Sequence, residues 1–489
     1  MDHDADEKDT RNPPVATAPH DPQHWPLAYK SYALGVYMLL TLVTTYTSGA
    51  YSAGIADMRR EFHVSATVAQ LGTSLYMFGM AAGSLLWGPL SQTLGRRPVM
   101  LMAYTAHLLF ALGVCLAPNI QTLLVCRFLG GAMGTACFSN VAGGIVDMTR
   151  PRYRSPYNTL FRLMALFGPA LSELLADVAV RDSDWRWNLR SLPIINGVIL
   201  ALYSVTIPET FVPVLEEREA RVLSDMQTFS DIAHHRPVST ARIKAQIRRA
   251  LWTRAQIAEL ARTFRRQLVL PWVLLLEEPI MMIVCFYTSM LYGLLYGSLL
   301  FFPYVWGSIR GFTQVQVGYT YISVLIGFVL SSVLVGCFLQ HRDYMRACDA
   351  GRNGPELRIS SHVWTELLVP IGLFWFAWTA PFVAVHWIVP CIGVCIFAFG
   401  TMSVYNGWMS YLGDTYATNV AAALSINTFC RSALAGAFPL FTRQMLVAMT
   451  FQGAMSMFAG VTVPLTAIGL IFARYGGRLR EHSKHAVHT

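Results

Sequence analysis

The chain has 489 residues, 54% of them hydrophobic and only 13% charged, with a formal net charge of +9. Ordinary globular chains carry about 25% charged residues, so this is the composition of a membrane protein and not of a soluble multidomain enzyme. The basic excess needs no nucleic acid to explain it, because Lys and Arg stay on the cytoplasmic side of membrane proteins during insertion.

In chain order, residues 1–29 are polar and Pro-rich without an apolar core, which predicts a disordered cytoplasmic tail and not a signal peptide. Apolar runs of about 20 residues, enough to cross a hydrocarbon core of about 30 Å, then predict twelve spans. They lie near 31–54, 67–88, 98–117, 121–144, 155–179, 189–207, 280–304, 315–338, 366–383, 387–411, 419–441 and 452–474. The expected fold is all-α and integral to the membrane, with one six-helix half over 30–207 and a second over 280–475. The stretch 208–279 between them is polar and basic, and Ile243, Ile247, Leu251, Ile257, Leu260 and Phe264 recur there near helical spacing. That pattern predicts a cytoplasmic loop with an amphipathic helix on the inner leaflet. Residues 476–489 are read as a second cytoplasmic tail. The expected inner loops are rich in arginine (Arg96, Arg97, Arg150, Arg152, Arg154, Arg342, Arg346) and the outer loops are not, which orients both termini inward.

Charged groups inside the spans are the candidate functional residues, since each is costly in lipid and must find a partner or a wet cavity. Arg127 stands in RFLGG within span four, where an unpaired cation costs at least about 2.5 kcal/mol. Arg162, Glu173 and Asp177 fall roughly on one face of span five. Glu173 is read as a proton carrier or as a counter-charge to Arg162 or Arg127; Asp177, near the outer end, is its companion, and Asp147 is a further acid to consider. In GPLSQTLGRRPV, residues 88–99, Gly88 and Gly95 allow close backbone approach, Pro89 is expected to end the preceding helix, and Arg96 and Arg97 are expected to latch the two halves. Asn427 and Arg431 in span eleven and Glu278 at the entrance to span seven read as helix-tying or cavity residues. Tyr292 and Tyr296 supply aromatic walls for an organic substrate. Nine cysteines are scattered without disulfide spacing, and Cys391 and Cys395 lack the His or carboxylate companions of a metal site, so neither a metal nor another cofactor is expected.

The order of YSAGIADMRREFHVS, GPLSQTLGRRPV, RFLGGAMG, FGP, DWRW, IPETFVPVL, EEPI and NTFCRSALAGAFPLF resembles the major facilitator superfamily, and more narrowly the fungal twelve-span drug:proton antiporters, over residues 30 to 480. The resemblance implies secondary active transport by alternating access: export of a small organic molecule (drug, toxin, secondary metabolite or organic acid) in exchange for protons. It gives Arg127 a role in proton coupling and makes Gly168 and Pro169 part of the antiporter motif in span five. There Ser172, Glu173, Ala176 and Asp177 replace a second Gly-Pro and paired glycines, and Gln92 stands where the family has an acid. Asn427, Arg431 and Glu278 match the family's pattern. The implied partners are a small organic substrate, protons and the lipid bilayer, with no nucleic acid, and the implied state is a monomer in the plasma membrane, or else in a vacuolar or other internal membrane. No Walker sequence, nucleophile elbow or zinc spacing is present, which argues against an enzyme. The alternatives left open are proton-coupled uptake, passive facilitation, and a receptor or sensor on a transporter fold.

Overall fold

The computed structural model describes residues 21–150, 153–181, 185–216, 220, 254–349, 359 and 362–481. Among these, every regular element is helical. The principal helices are α1 (Leu27–Gly49), α2 (Ala66–Leu94), α3 (Arg96–Cys115), α4 (Ile120–Met148, interrupted at Thr135), α5 (Arg154–Arg181), α6 (Trp185–Thr206) and α7 (Arg254–Glu277). They continue as α8 (Pro279–Ile309), α9 (Gln314–Asp343), α10 (Val363–Thr379), α11 (Ile388–Thr415), α12 (Val420–Ala448) and α13 (Phe451–Glu481). Among the described residues nine helices are both long and apolar enough to cross a bilayer. α2 and α5 are long enough, at 29 and 28 residues, but are not among those nine, and α10 is apolar but short. Each of the twelve expected spans falls on a helix, and α7 is a thirteenth.

Local chemistry starts these helices where the sequence offers an acceptor to the first free N–H groups. Ser65 accepts from Val68 N at the head of α2, and Asn119 accepts from Thr122 N at the head of α4 at 2.8 Å. Thr313 and Gln316 form a reciprocal capping box that starts α9. Pro89 does not end its helix: α2 runs through it to Leu94. A spanning helix tolerates the lost N–H because neighbouring helices and side chains re-satisfy the freed backbone.

The end of the bundle that carries Arg96 and Arg97 is called the inner end, following the positive-inside rule. A seam between the first six helices and the last six runs along α2 and α12, where Ser84 Oγ donates to the Ser425 carbonyl at 3.2 Å and Gly88 leaves room for the Ser425 hydroxyl. At its inner end the basic stretch between the halves departs from a simple loop. α7 lies against this seam, touching α12 through Trp272 on Phe429 (ring centroids 4.9 Å) and α2 through Gln267 Nε2 to Gln92 Oε1 at 3.3 Å. The part of the expected amphipathic helix before Arg254, and the expected tails over 1–20 and 482–489, lie outside the described residues.

Candidate functional site

The inner loop is organised by a carboxylate that no local pattern marks. Glu209, 3% exposed, follows α6 and accepts from Arg96 N at 2.9 Å and Arg97 N at 3.1 Å, the first two N–H groups of α3, and also from Thr210 N and Phe211 N at 3.0 Å each. Gly95 has φ +98°, and a Cβ there would collide with Glu209 Oε2, so only glycine serves both the backbone and the carboxylate. Arg96 then pairs with Asp147 at 3.1 Å and donates to Ser91 Oγ, while Arg97 reaches the Ser204 carbonyl at 2.7 Å. Among the described residues all these partners belong to the first half. The paired arginines therefore fasten α3, α4 and the exit of α6 together in this conformation and do not latch the two halves, and Asp147 is engaged as their counter-charge.

The halves meet at the inner end through other groups. Arg162 on α5 donates from Nη1 to the Asn406 carbonyl at 3.1 Å and to Ser410 Oγ at 2.8 Å on α11. Ser155 donates to Gln340 on α9 at 3.3 Å. At the outer end a cavity of about 490 Å³ opens between the halves, with Ser52, Gln70, Glu173, Leu299, Gln314 and Arg443 on its walls. The arrangement is closed at the inner end and hollow at the outer.

Glu173 is 4% exposed and accepts from the Ser52 hydroxyl just beyond α1. Its eleven-residue distance from Arg162 is about 16 Å of helix, which puts the two at opposite ends of the path and rules out the expected charge pair. α5 comes close enough to α1 for Gly168 to face Thr45, where a Cβ would collide with the Thr45 side chain. One turn further, the Ser172 hydroxyl fits against Gly49 of α1. Pro169 lies within the helix, and its carbonyl accepts from Ser172 Oγ at 2.6 Å. The side chain of Asp177 lies outside the described residues.

Arg127 is fully engaged. Its Nε donates to Gly72 O at 3.1 Å, Nη1 to Thr47 O at 2.8 Å and Nη2 to Ser48 O at 2.9 Å, between the rings of Tyr51 and Tyr76 at 4.7 and 4.6 Å. Thr47 and Ser48 sit in the last turn of α1, where carbonyls lack helical partners and the dipole is negative. Arg127 thus caps α1 with side-chain donors, and the expected counter-charge Glu173 is not among its partners. In the second half, Asn427 donates to Thr288 Oγ1 at 2.8 Å and ties α12 to α8, and the Tyr416 hydroxyl donates to Glu278 at 3.4 Å and ties α8 to the exit of α11. Tyr296 bonds Ser48 of α1 through the two hydroxyls at 2.6 Å, a direct bridge between the halves. Tyr292 packs beside it, centroids 5.1 Å apart, and the Arg431 guanidinium lies over the Tyr292 ring at 4.4 Å.

One acid escaped the sequence reading. Glu366 on α10 is fully buried, forms no ion pair among the described residues, and would meet a Cβ at Gly469 of α13. Its signal was an acid within an apolar run, TELLVPIGLF.

The sequence profile of the Major Facilitator Superfamily matches residues 37–439. The chain belongs to that superfamily. It is therefore a multi-pass membrane protein of a transporter family. Efflux pump FUBT of Fusarium oxysporum is 34% identical over 455 residues, covering 92% of this chain and 73% of its own length. The major facilitator superfamily multidrug transporter mdrA of Aspergillus fumigatus is 30% identical over 468 residues, covering 96% and 74%. The probable drug/proton antiporter YHK8 of Saccharomyces cerevisiae is 29% identical over 477 residues, covering 98% and 90%. Among solved structures, the proton:xylose symporter XylE bound to 6-bromo-6-deoxy-D-glucose superimposes with a TM-score of 0.65 at 14% identity, covering 92% of this chain and 97% of that one, which shows the shared superfamily fold.

Proposed function

We propose that this superfamily member exports a small organic molecule in exchange for protons, by alternating access between its two six-helix halves. The observation that carries the reading is Glu173, a carboxyl on the wall of the outer cavity while the inner end is held shut by Arg162 and Ser155. An ionised carboxylate this deeply buried is already costly, closing the outer cavity removes the solvation left to it, and protonation relieves that cost. A proton taken from outside after substrate release thus licenses closure, and opening at the inner end then requires the Arg162 contacts to part. The relatives named efflux pump and drug/proton antiporter agree with the direction and the coupling. We place the protein as a monomer in the plasma membrane, with residues 208–279 cytoplasmic.

Glu173→Gln, neutral and nearly isosteric, is expected to keep surface expression and downhill exchange but to lose uphill movement driven by a pH gradient. Counterflow and gradient-driven transport in vesicles separate the two. Normal values for both would move the proton site away from Glu173.

A further inference from the structure

Two arginines lie buried deep in the bundle, and they are not alike. Arg127 engages all three of its nitrogens with carbonyls. Arg431, 1% exposed on α12, engages one: Nη1 donates to the Tyr405 hydroxyl at 2.5 Å, while among the described residues Nε and Nη2 have no hydrogen-bond partner. Its guanidinium is walled by Tyr292 of α8 at 4.4 Å, Tyr405 of α11 at 5.0 Å and Phe138 of α4 at 5.6 Å. Among the described residues it forms no ion pair. Cation–π contacts contribute about 0.5–2 kcal/mol each, but they act on the face of the guanidinium and supply no acceptor for the N–H groups along its edge.

Nε and Nη2 share one edge of the planar guanidinium, the edge that grips a carboxylate through two parallel N–H···O bonds. The Tyr292 hydroxyl is buried on the same wall, beside Tyr296. Phe138 comes from the first half and the other three residues from the second, so the guanidinium lies where the halves meet. The outer cavity stands above it on the same two helices. Leu299 is seven residues beyond Tyr292 and Pro439 eight beyond Arg431, about 10–12 Å along each axis. Between cavity and arginine, one turn above Tyr292, Tyr296 is bonded to Ser48.

We infer that the free edge of Arg431 receives the negative end of the cargo, and that the cargo class is the small organic monocarboxylates with a flat, unsaturated body. The inference rests on the transporter reading above. One cation without a counter-ion neutralises one negative charge, and a dianion would carry an uncompensated charge into the bundle. Aromatic walls accept a flat body by stacking and edge contacts.

The test is isothermal titration of the purified full chain with 4-ethylbenzoate and its neutral isostere 4-ethylbenzamide. Saturable binding of the carboxylate is expected, with the amide at least about tenfold weaker because a two-point charged contact is lost. Arg431→Gln should abolish that preference, and Tyr292→Phe should weaken carboxylate binding severalfold. The inference is overturned if the carboxylate does not bind, if the amide binds as well, if acetate or chloride competes at equal concentration, or if Arg431→Gln binds like the wild type. Should Arg431→Gln fail to fold, Arg431→Lys decides, since it keeps the charge and loses the two-point edge: an unchanged affinity overturns the assignment. Binding with no transport in vesicles would count against the transporter reading and leave the anion site standing; transport without carboxylate binding would do the reverse.

Discussion

Replacing Glu209 should loosen the inner end of the first half more than removing any of the arginine contacts around it. Its carboxylate accepts four backbone N–H groups, at 2.9, 3.1, 3.0 and 3.0 Å. In Glu209→Ala the two at the head of α3 lose a cap, about 1 kcal/mol each, and a negative charge leaves the positive end of the helix dipole, about 0.3–1 kcal/mol. The two local N–H groups turn to water at about 0.5 kcal/mol each. The sum is about 3.5 kcal/mol, which for a cooperative unit the size of one half corresponds to a fall in Tm of about 7–14 °C. Glu209→Gln retains one carbonyl oxygen and should fall about half as far, and Asp147→Asn, which loses one partly wetted ion pair, by less again. Thermal unfolding of the purified protein in detergent, followed by tryptophan emission, gives the ranking. A Glu209→Ala variant within about 2 °C of the wild type, or Gln and Ala variants that fall equally, would refute the argument that this carboxylate organises the loop.

Arg162→Ala removes two contacts between the halves of about 1 kcal/mol each, so the closed inner end should open roughly thirtyfold more often. A cysteine placed at Ser155 should then react faster with an impermeant reagent applied from the inner side, and an unchanged rate would sink the role in closure. Gly49→Ala should be destabilising because its methyl meets the Ser172 hydroxyl, and Gly49→Ala combined with Ser172→Gly should recover most of the loss in Tm; no recovery would mean that the Pro169 backbone sets the limit. Glu366→Gln should leave Tm unchanged or raise it, because a fully buried ionisable group is replaced by a neutral one of the same shape, and a clear fall would refute that argument.

The spans were legible because burial in lipid writes itself as long apolar runs, and even α2 and α5 kept enough of that signal. α7 was legible only in part: Ile257, Leu260 and Phe264 mark its first half as an amphipathic helix, but the apolar LVLPWVLLL that docks it is too short to read as a span. The site divides the same way. That Arg127 needed a partner was evident from its place in RFLGG, but carbonyls at the end of α1 are backbone atoms and leave no trace in side-chain identity. Arg96 and Arg97 announced themselves, whereas the acid that fixes their backbone lies 113 residues from Arg96, in IPETFVPVL. Arg162 and Glu173 could be read from the sequence as sharing a helix face, but that says nothing about the distance along it, and about 16 Å of helix separates them.

Ser172 and Gly49 show how a packing motif can change address. Where the resemblance to drug:proton antiporters implies a glycine on the fifth span, this chain has a hydroxymethyl, and Gly49 on the opposite wall has no side chain in its way. Fit between the two helices depends on the summed volume across the contact and not on which strand of the argument, donor or host, carries the bulk. A consensus written for one helix is then half of a two-body constraint. Departures from it are informative only when the residue on the other side is read at the same time, and selection acting on the pair leaves each position freer than either looks alone.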